Sequence, residues 1–215
     1  MVEFELAFAR RQATDVVPVP GGFAVRHTDF HTSHNNNRLL ATEATDPAAV
    51  LDAADSVLTD LEHRLITVYD DAAGTEFAPS ALAAGYHHTP LLAMAYTGDT
   101  PPVPAVSVES VDVTTLVPSL RRTWQLVLPD SPQYRIDQLA QRVTARLHGA
   151  DDVLFLAVVD EDRQVLARVD LYIQDGLAQI EFVDTPPEHR GRGYARAVVQ
   201  EALRRAQAAR CGLLL

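Results

Sequence analysis

Residues Pro187–Val199 read PEHRGRGYARAVV, and this stretch decides the fold. A predicted strand runs into Arg190-Gly191-Arg192-Gly193-Tyr194-Ala195. There a strongly periodic helix opens, with Ala195, Val198, Val199, Ala202, Leu203 and Ala206 as its apolar stripe. The first turn of a helix has N–H groups without internal partners, and the helix dipole sets its positive end there. Glycines carry no side chain, so a ligand's phosphates can approach those N–H groups closely. The stretch reads as a pyrophosphate cradle.

Three kinds of phosphate loop have this look. A Walker-type loop needs a lysine after its last glycine, and all 18 basic residues of this chain are arginines. A dinucleotide fingerprint needs glycine or alanine where Arg196 stands, with further β-α-β units downstream, and the sequence ends too soon for them. The third kind fits. Arg190–Ala195 matches the Arg/Gln-x-x-Gly-x-Gly/Ala signature, and TPPEHRGRGYARAVV (Thr185–Val199) resembles the motif of the GNAT superfamily of acetyl-CoA-dependent N-acetyltransferases.

Element order ahead of the loop resembles the front of a GNAT domain. A strand is predicted over Val106–Val113, helices over Leu116–Leu128 and Arg135–His148, and strands over Val153–Asp160, Val165–Ile173 and Leu177–Thr185. A final helix is predicted from Gly193 to Ala209. The expected fold is α/β (α+β), a GNAT-like mixed and largely antiparallel sheet flanked by helices. The resemblance implies that backbone N–H groups of Gly191, Arg192, Gly193, Tyr194 and Ala195 hold the acyl-CoA pyrophosphate. Arg190 shapes the turn and balances phosphate charge. It further implies that Phe182, Val183 and Thr185 run beside the pantetheine arm as backbone partners. The reaction is attack of an amine on the thioester, and Glu181, on the strand before the loop, stands where many members keep a general base. Asp184 and Glu188 are the alternatives. The implied donor is acetyl-CoA, with no metal, and the implied acceptor is a small-molecule or peptide amine. A second reading is a non-catalytic GNAT-like module that binds CoA or a protein.

A GNAT domain continues past this helix with further elements, including a tyrosine that protonates the departing thiolate. The sequence stops at Leu215, so no residue of the second segment fills that position. Tyr134, Tyr172 and Tyr194 read better as packing residues.

Gly98–Pro104, GDTPPVP, combines a turn signal with three prolines and reads as a boundary. It separates residues 1–98 from 105–215, with a linker over 99–104. The first segment shows a helix at Val2–Gln12 and an extended piece at Val16–His27. The polar stretch Thr28–Asn37 follows, then Arg38–Thr42 as a strand and a helix capped by Asp46-Pro47. His63–Tyr69 and Pro90–Tyr96 are predicted strands around a short helix at Phe77–Ala84. This order, ending near Gly85-Tyr86, resembles the back half of a GNAT domain without its glycine loop. A tandem arrangement with a degenerate first half is expected, the first half partly replacing the elements missing from the second.

Composition bounds the rest. A hydrophobic share of 47% with 22% charged residues is that of a folded chain. No run approaches the roughly 18 apolar residues of a membrane helix, and the N-terminus is not a signal peptide, so a cytoplasmic protein is expected. A net charge of −11 disfavours nucleic acid as a partner. One cysteine, Cys211, excludes an internal disulfide. His27, His31 and His34 lie in a predicted loop, where a polar role is expected rather than a metal site. The unfinished sheet edge leaves room for a homodimer.

Overall fold

In the computed structural model, which describes residues 1–214, the chain divides into two compact units, Val2–Leu92 and Ala93 onward. No helix among the described residues is long and apolar enough to cross a membrane.

The first unit opens with α1 (Val2–Gln12), followed by β1 (Asp15–Val19) and β2 (Gly22–Arg26), an antiparallel hairpin. Gly22 is required there, because a Cβ would stand 2.0 Å from the carbonyl oxygen of Leu40. Two 3-10 turns cover Thr28–Phe30 and His34–Asn36 and lead to β3 (Arg38–Ala41). Asn37, buried, pins this polar stretch: its amide donates to the carbonyls of Phe30 and Ser33 and accepts from the His27 N–H. Then come α2 (Pro47–Val57), capped by Asp46, β4 (Ile66–Val68) and α3 (Asp71–Ala83). The sheet order is β1-β2-β3-β4, with β3 and β4 parallel across the α2 crossover. Alternation along β3 sends Leu40 to Phe23, Val25 and Ala9 on one face, and Leu39 and Ala41 to Val50 and Ala54 on the other.

The second unit holds β5 (Glu109–Val111), α4 (Val113–Val127), α5 (Gln133–Gln141), α6 (Val143–Arg146), β6 (Asp152–Val159), β7 (Val165–Gln174), β8 (Leu177–Asp184), α7 (Tyr194–Ala208) and β9 (Leu213–Leu214). Its sheet runs β5-β6-β7-β8-β9, antiparallel except for the last pair, which α7 bridges. Asp175 and Gly176, both at positive φ, make the tight β7–β8 turn. On one face Leu156, Val158, Ala167, Val169 and Leu171 pack against the α7 stripe of Ala197, Val198, Ala202, Leu203 and Ala206. On the other, Phe155, Ala157 and Val165 meet Leu116, Leu120, Ala140 and Val143 of α4–α6.

Several elements differ from the sequence expectation. Pro90–Tyr96 forms no strand, and Leu91, Leu92 and Met94 are exposed by 79–89%; its β propensity is unmet because no described strand pairs with it. The single helix expected over Arg135–His148 is two, because the chain tightens at Arg142, whose carbonyl takes the Ala145 N–H. The extended piece Val16–His27 is a hairpin. α3 starts at Asp71, capped by Asp70, and carries Pro79 inside it. Cys211 is half-buried just past α7, and burial raises its thiol pKa.

Candidate active site

A break in the β7–β8 ladder starts the site. Arg168 pairs with Asp184 and Asp170 with Glu181, so Phe182 and Val183 together face the single residue Val169. This is a β-bulge, and Phe182 takes φ +55° within it, a conformation that costs a bulky side chain energy. A bulge re-aims side chains and backbone groups where regular pairing would bury them. β9, described through Leu214, pairs only with Leu177 and Ala178 at the far end of β8.

Beyond β8 the chain passes through a 3-10 turn at Pro187–His189 into the glycine loop. The Arg190 Nε–H donates to the Thr185 carbonyl at 2.9 Å, closing the loop on itself. Gly191 and Gly193 stand at φ +76° and +80°, and a Cβ on either would meet nothing within 4 Å. Gly193 is the N-cap of α7, and no side chain caps that turn. The first helix bond comes from the Ala197 N–H to the Gly193 carbonyl. The N–H groups of Tyr194, Ala195 and Arg196 precede it, at an approach cleared of side chains. Such an end accepts a phosphate or pyrophosphate. Tyr194 itself packs against the α7-face core.

The opposite face of the sheet carries a cavity of about 150 Å³. Its wall includes Leu120, Thr123 and Trp124 of α4, Leu139, Arg142, Val143 and Arg146 of the α5–α6 stretch, Arg168 of β7, and the bulge residues Phe182, Val183 and Asp184. Asp170, wholly buried, holds two of the arginines: it accepts from Arg146 Nη1 at 2.6 Å and Arg168 Nη1 at 3.0 Å. The Tyr172 hydroxyl donates to the same carboxylate at 2.8 Å. Burial, and the Asp170 charge beside it, push the Tyr172 phenol well above its ordinary pKa, which keeps it a donor. The Arg146 guanidinium lies over the Phe182 ring at 3.7 Å, and that of Arg142 lies 5.1 Å from the Trp124 ring. Burial, then the charges of Arg146 and Arg168, drive Arg142 down to about 9.

The sequence-expected residues fall into three places. Gly191, Arg192, Gly193, Tyr194 and Ala195, with Arg190, form the loop. Phe182, Val183 and Asp184 are at the bulge and line the cavity, while Thr185 follows and is held by Arg190. Glu181 stands at the last regular position before the bulge, its carboxylate accepting from Gln179 Nε2 at 2.8 Å. Glu188 is on the loop's 3-10 turn, 62% exposed at its side chain. The cavity arginines and Asp170 were not anticipated. Their signal was present: Arg168, Asp170 and Tyr172 interrupt an apolar strand with a period of two, so they share one face. The histidines of the first unit form no metal group: His27 Nδ1 accepts from the Asp29 N–H and His34 stacks on His63 at 3.9 Å. Among the described residues no cluster of His, Cys, Asp and Glu is placed to hold a metal ion.

Comparison with known proteins bears on family and fold. Residues 115–215 match the model of the acetyltransferase (GNAT) family. A GCN5-related N-acetyltransferase from Kribbella flavida superposes over 97% of this chain and 83% of its own, with a TM-score of 0.54 and 16% identity, a likeness of fold. An acetyltransferase from Agrobacterium tumefaciens is 27% identical over 51% of this chain and 81% of its own, at a TM-score of 0.39. One from Clostridium acetobutylicum, solved with acetyl-CoA, is 16% identical over 51% and 78%, also at 0.39. None of the curated proteins searched matches the sequence. Residues 115–215 thus match the GNAT acetyltransferase family by sequence, and the fold is one shared with a GCN5-related N-acetyltransferase.

Proposed function

We propose that this chain moves an acetyl group from acetyl-CoA to the nitrogen of an amine by direct attack, with no acyl-enzyme. The observation that carries this reading is the uncapped start of α7 behind Gly191 and Gly193, set directly after a bulged strand. In this reading the N–H groups of Gly191, Arg192, Gly193, Tyr194 and Ala195 hold the pyrophosphate of the donor, which supplies an activated acetyl group. Arg190 keeps the loop in shape through Thr185 and adds positive charge near the phosphates. Backbone groups of Phe182, Val183 and Thr185 flank the pantetheine arm. The amine nitrogen attacks the thioester carbonyl carbon, the C–S bond breaks, and the proton lost by nitrogen ends on the CoA sulfur.

Glu181 is the proposed base, because it precedes the bulge on the cavity-facing side of β8, opposite Asp170. Asp184 is its rival, since it lines the cavity itself. Comparing Glu181→Gln with Asp184→Asn separates them. The base variant loses about a hundredfold or more in kcat, together with the acid limb of its pH profile. The other keeps that limb.

The reading is tested by calorimetric titration of the chain with acetyl-CoA, alongside Gly193→Arg. That substitution places a long side chain on the approach to the helix end. Wild type binds, and the variant, shown folded by circular dichroism, binds at least about tenfold more weakly, a loss of roughly 1.4 kcal/mol. Absence of wild-type binding refutes the proposal. Binding without thiol release when amines are supplied reduces it to a CoA-binding module.

A further inference from the structure

We infer that the acceptor is an amino acid: a small molecule whose amine is accompanied, a few bonds away, by an acidic group that the cavity arginines receive. This inference rests on the acyl-transfer reading above and narrows its acceptor.

The argument starts from the cost of the arrangement. Burying a guanidinium is expensive unless its donors are met. Here three are buried in one wall, with Arg142, Arg146 and Arg168 exposed by only 6–8%. Asp170 meets one donor each of Arg146 and Arg168. The Arg168 Nε–H, however, is buried with no hydrogen-bond partner, and the Asp184 carboxylate stands 4.0 Å away, beyond hydrogen-bond reach. Asp184 is engaged instead by the Thr123 hydroxyl at 3.2 Å. An unmet donor on a cation that lines a cavity is a place for an anionic acceptor, and a carboxylate suits the planar guanidinium fork.

Charge balance selects the rest of the ligand. Three carboxylates act on this cluster, Asp170, Asp184 and Glu181, against three guanidinium groups. A site already balanced takes a ligand of zero net charge at least cost. A polyamine would bring unanswered positive charge to the arginines, and a plain anion would lack the nucleophile. A zwitterion supplies both ends: its carboxylate goes to the arginine side, and its ammonium proton goes to a carboxylate before attack. Size agrees, because an engineered cavity of about 150 Å³ holds benzene, and that is the scale of one amino-acid side chain. Leu120, Leu139 and Val143, with the Trp124 and Phe182 rings, supply apolar wall for it.

Trp124 is the only tryptophan in the chain and lines the cavity, so its fluorescence reports occupancy without turnover. The full chain is titrated with the twenty amino acids. Each one that gives a saturable change is then compared with its decarboxylated amine and its amide, leucine with 3-methylbutylamine for example. At least one amino acid binds, and its decarboxylated partner binds at least tenfold more weakly. Arg168→Gln erases most of that difference. Equal or tighter binding of the acid-free amine overturns the inference, and so does the absence of any saturable amino acid. The wild-type comparison decides the matter even where Arg168→Gln fails to fold. Calorimetry with acetyl-CoA keeps the two claims apart. A chain that binds the donor but prefers acid-free amines refutes the acceptor class alone, whereas a chain that binds amino acids but no donor refutes the transfer reaction.

Discussion

Asp170 ties the wall of the cavity together, because Arg146, Arg168 and Tyr172 all donate to its one buried carboxylate. Removing that charge leaves two guanidinium groups buried without their anion, which is the costly way to break such a network. Asp170→Asn is expected to lower unfolding stability by about 3–5 kcal/mol, read from the urea midpoint at constant slope. A loss under about 1 kcal/mol would mean the arginines re-pair elsewhere. Residues of this kind were hard to read beforehand. The glycines of the loop announce themselves, because few other contexts ask for Gly-x-Gly at the start of a periodic helix. Arg142 and Arg146 look like ordinary surface cations in sequence, since burial of a long charged side chain depends on partners contributed by separate elements. Phe182 is similar: nothing local to it signals a left-handed backbone, which the register of β7 against β8 imposes.

Elements with strong periodicity were legible: β6, β7, β8 and α7 lie close to the segments marked by their apolar patterns. Those whose state depends on a neighbour were not. Pro90–Tyr96 has the composition of a strand but no described pairing partner, and β5 keeps only three residues of the eight expected, those that pair with β6. The start of α4 also came out earlier than its apolar stripe suggested. Asp112 caps it, accepting from the Thr114 hydroxyl and the Thr115 N–H. These bonds, the Thr114 hydroxyl foremost, hold the Asp112 carboxyl below its usual value. A depressed folded value means that the cap's contribution is full above the unfolded pKa and fades as pH falls through the folded one. Asp112→Ala therefore melts lower than wild type at pH 7, and the gap narrows in acid below about pH 4. A gap that stays constant down to pH 2 would show that the carboxylate's charge plays no part.

For the whole molecule, net charge and local charge differ: the chain carries −11, while the cavity of the second unit is walled by arginines. Total charge records the exposed surface, whereas recognition is set by a few buried groups. The prolines after Gly98 suggest a boundary over 99–104, whereas the compact units part between Leu92 and Ala93. Residues 87–104 carry almost no regular structure, and they include the exposed Leu91, Leu92, Met94 and Tyr96. Brief digestion with chymotrypsin should cut there first and leave two fragments that resist further cleavage. Early cuts within β6–β8 would contradict that. The half-buried Cys211 has a practical use of its own. It is the only thiol in the chain, and burial raises its pKa, so its thiolate fraction at neutral pH is smaller than that of a free thiol. A chromogenic disulfide added to a reaction mixture would thus register coenzyme released during turnover over a protein background of at most one thiol per chain, spent once while the released coenzyme keeps accumulating.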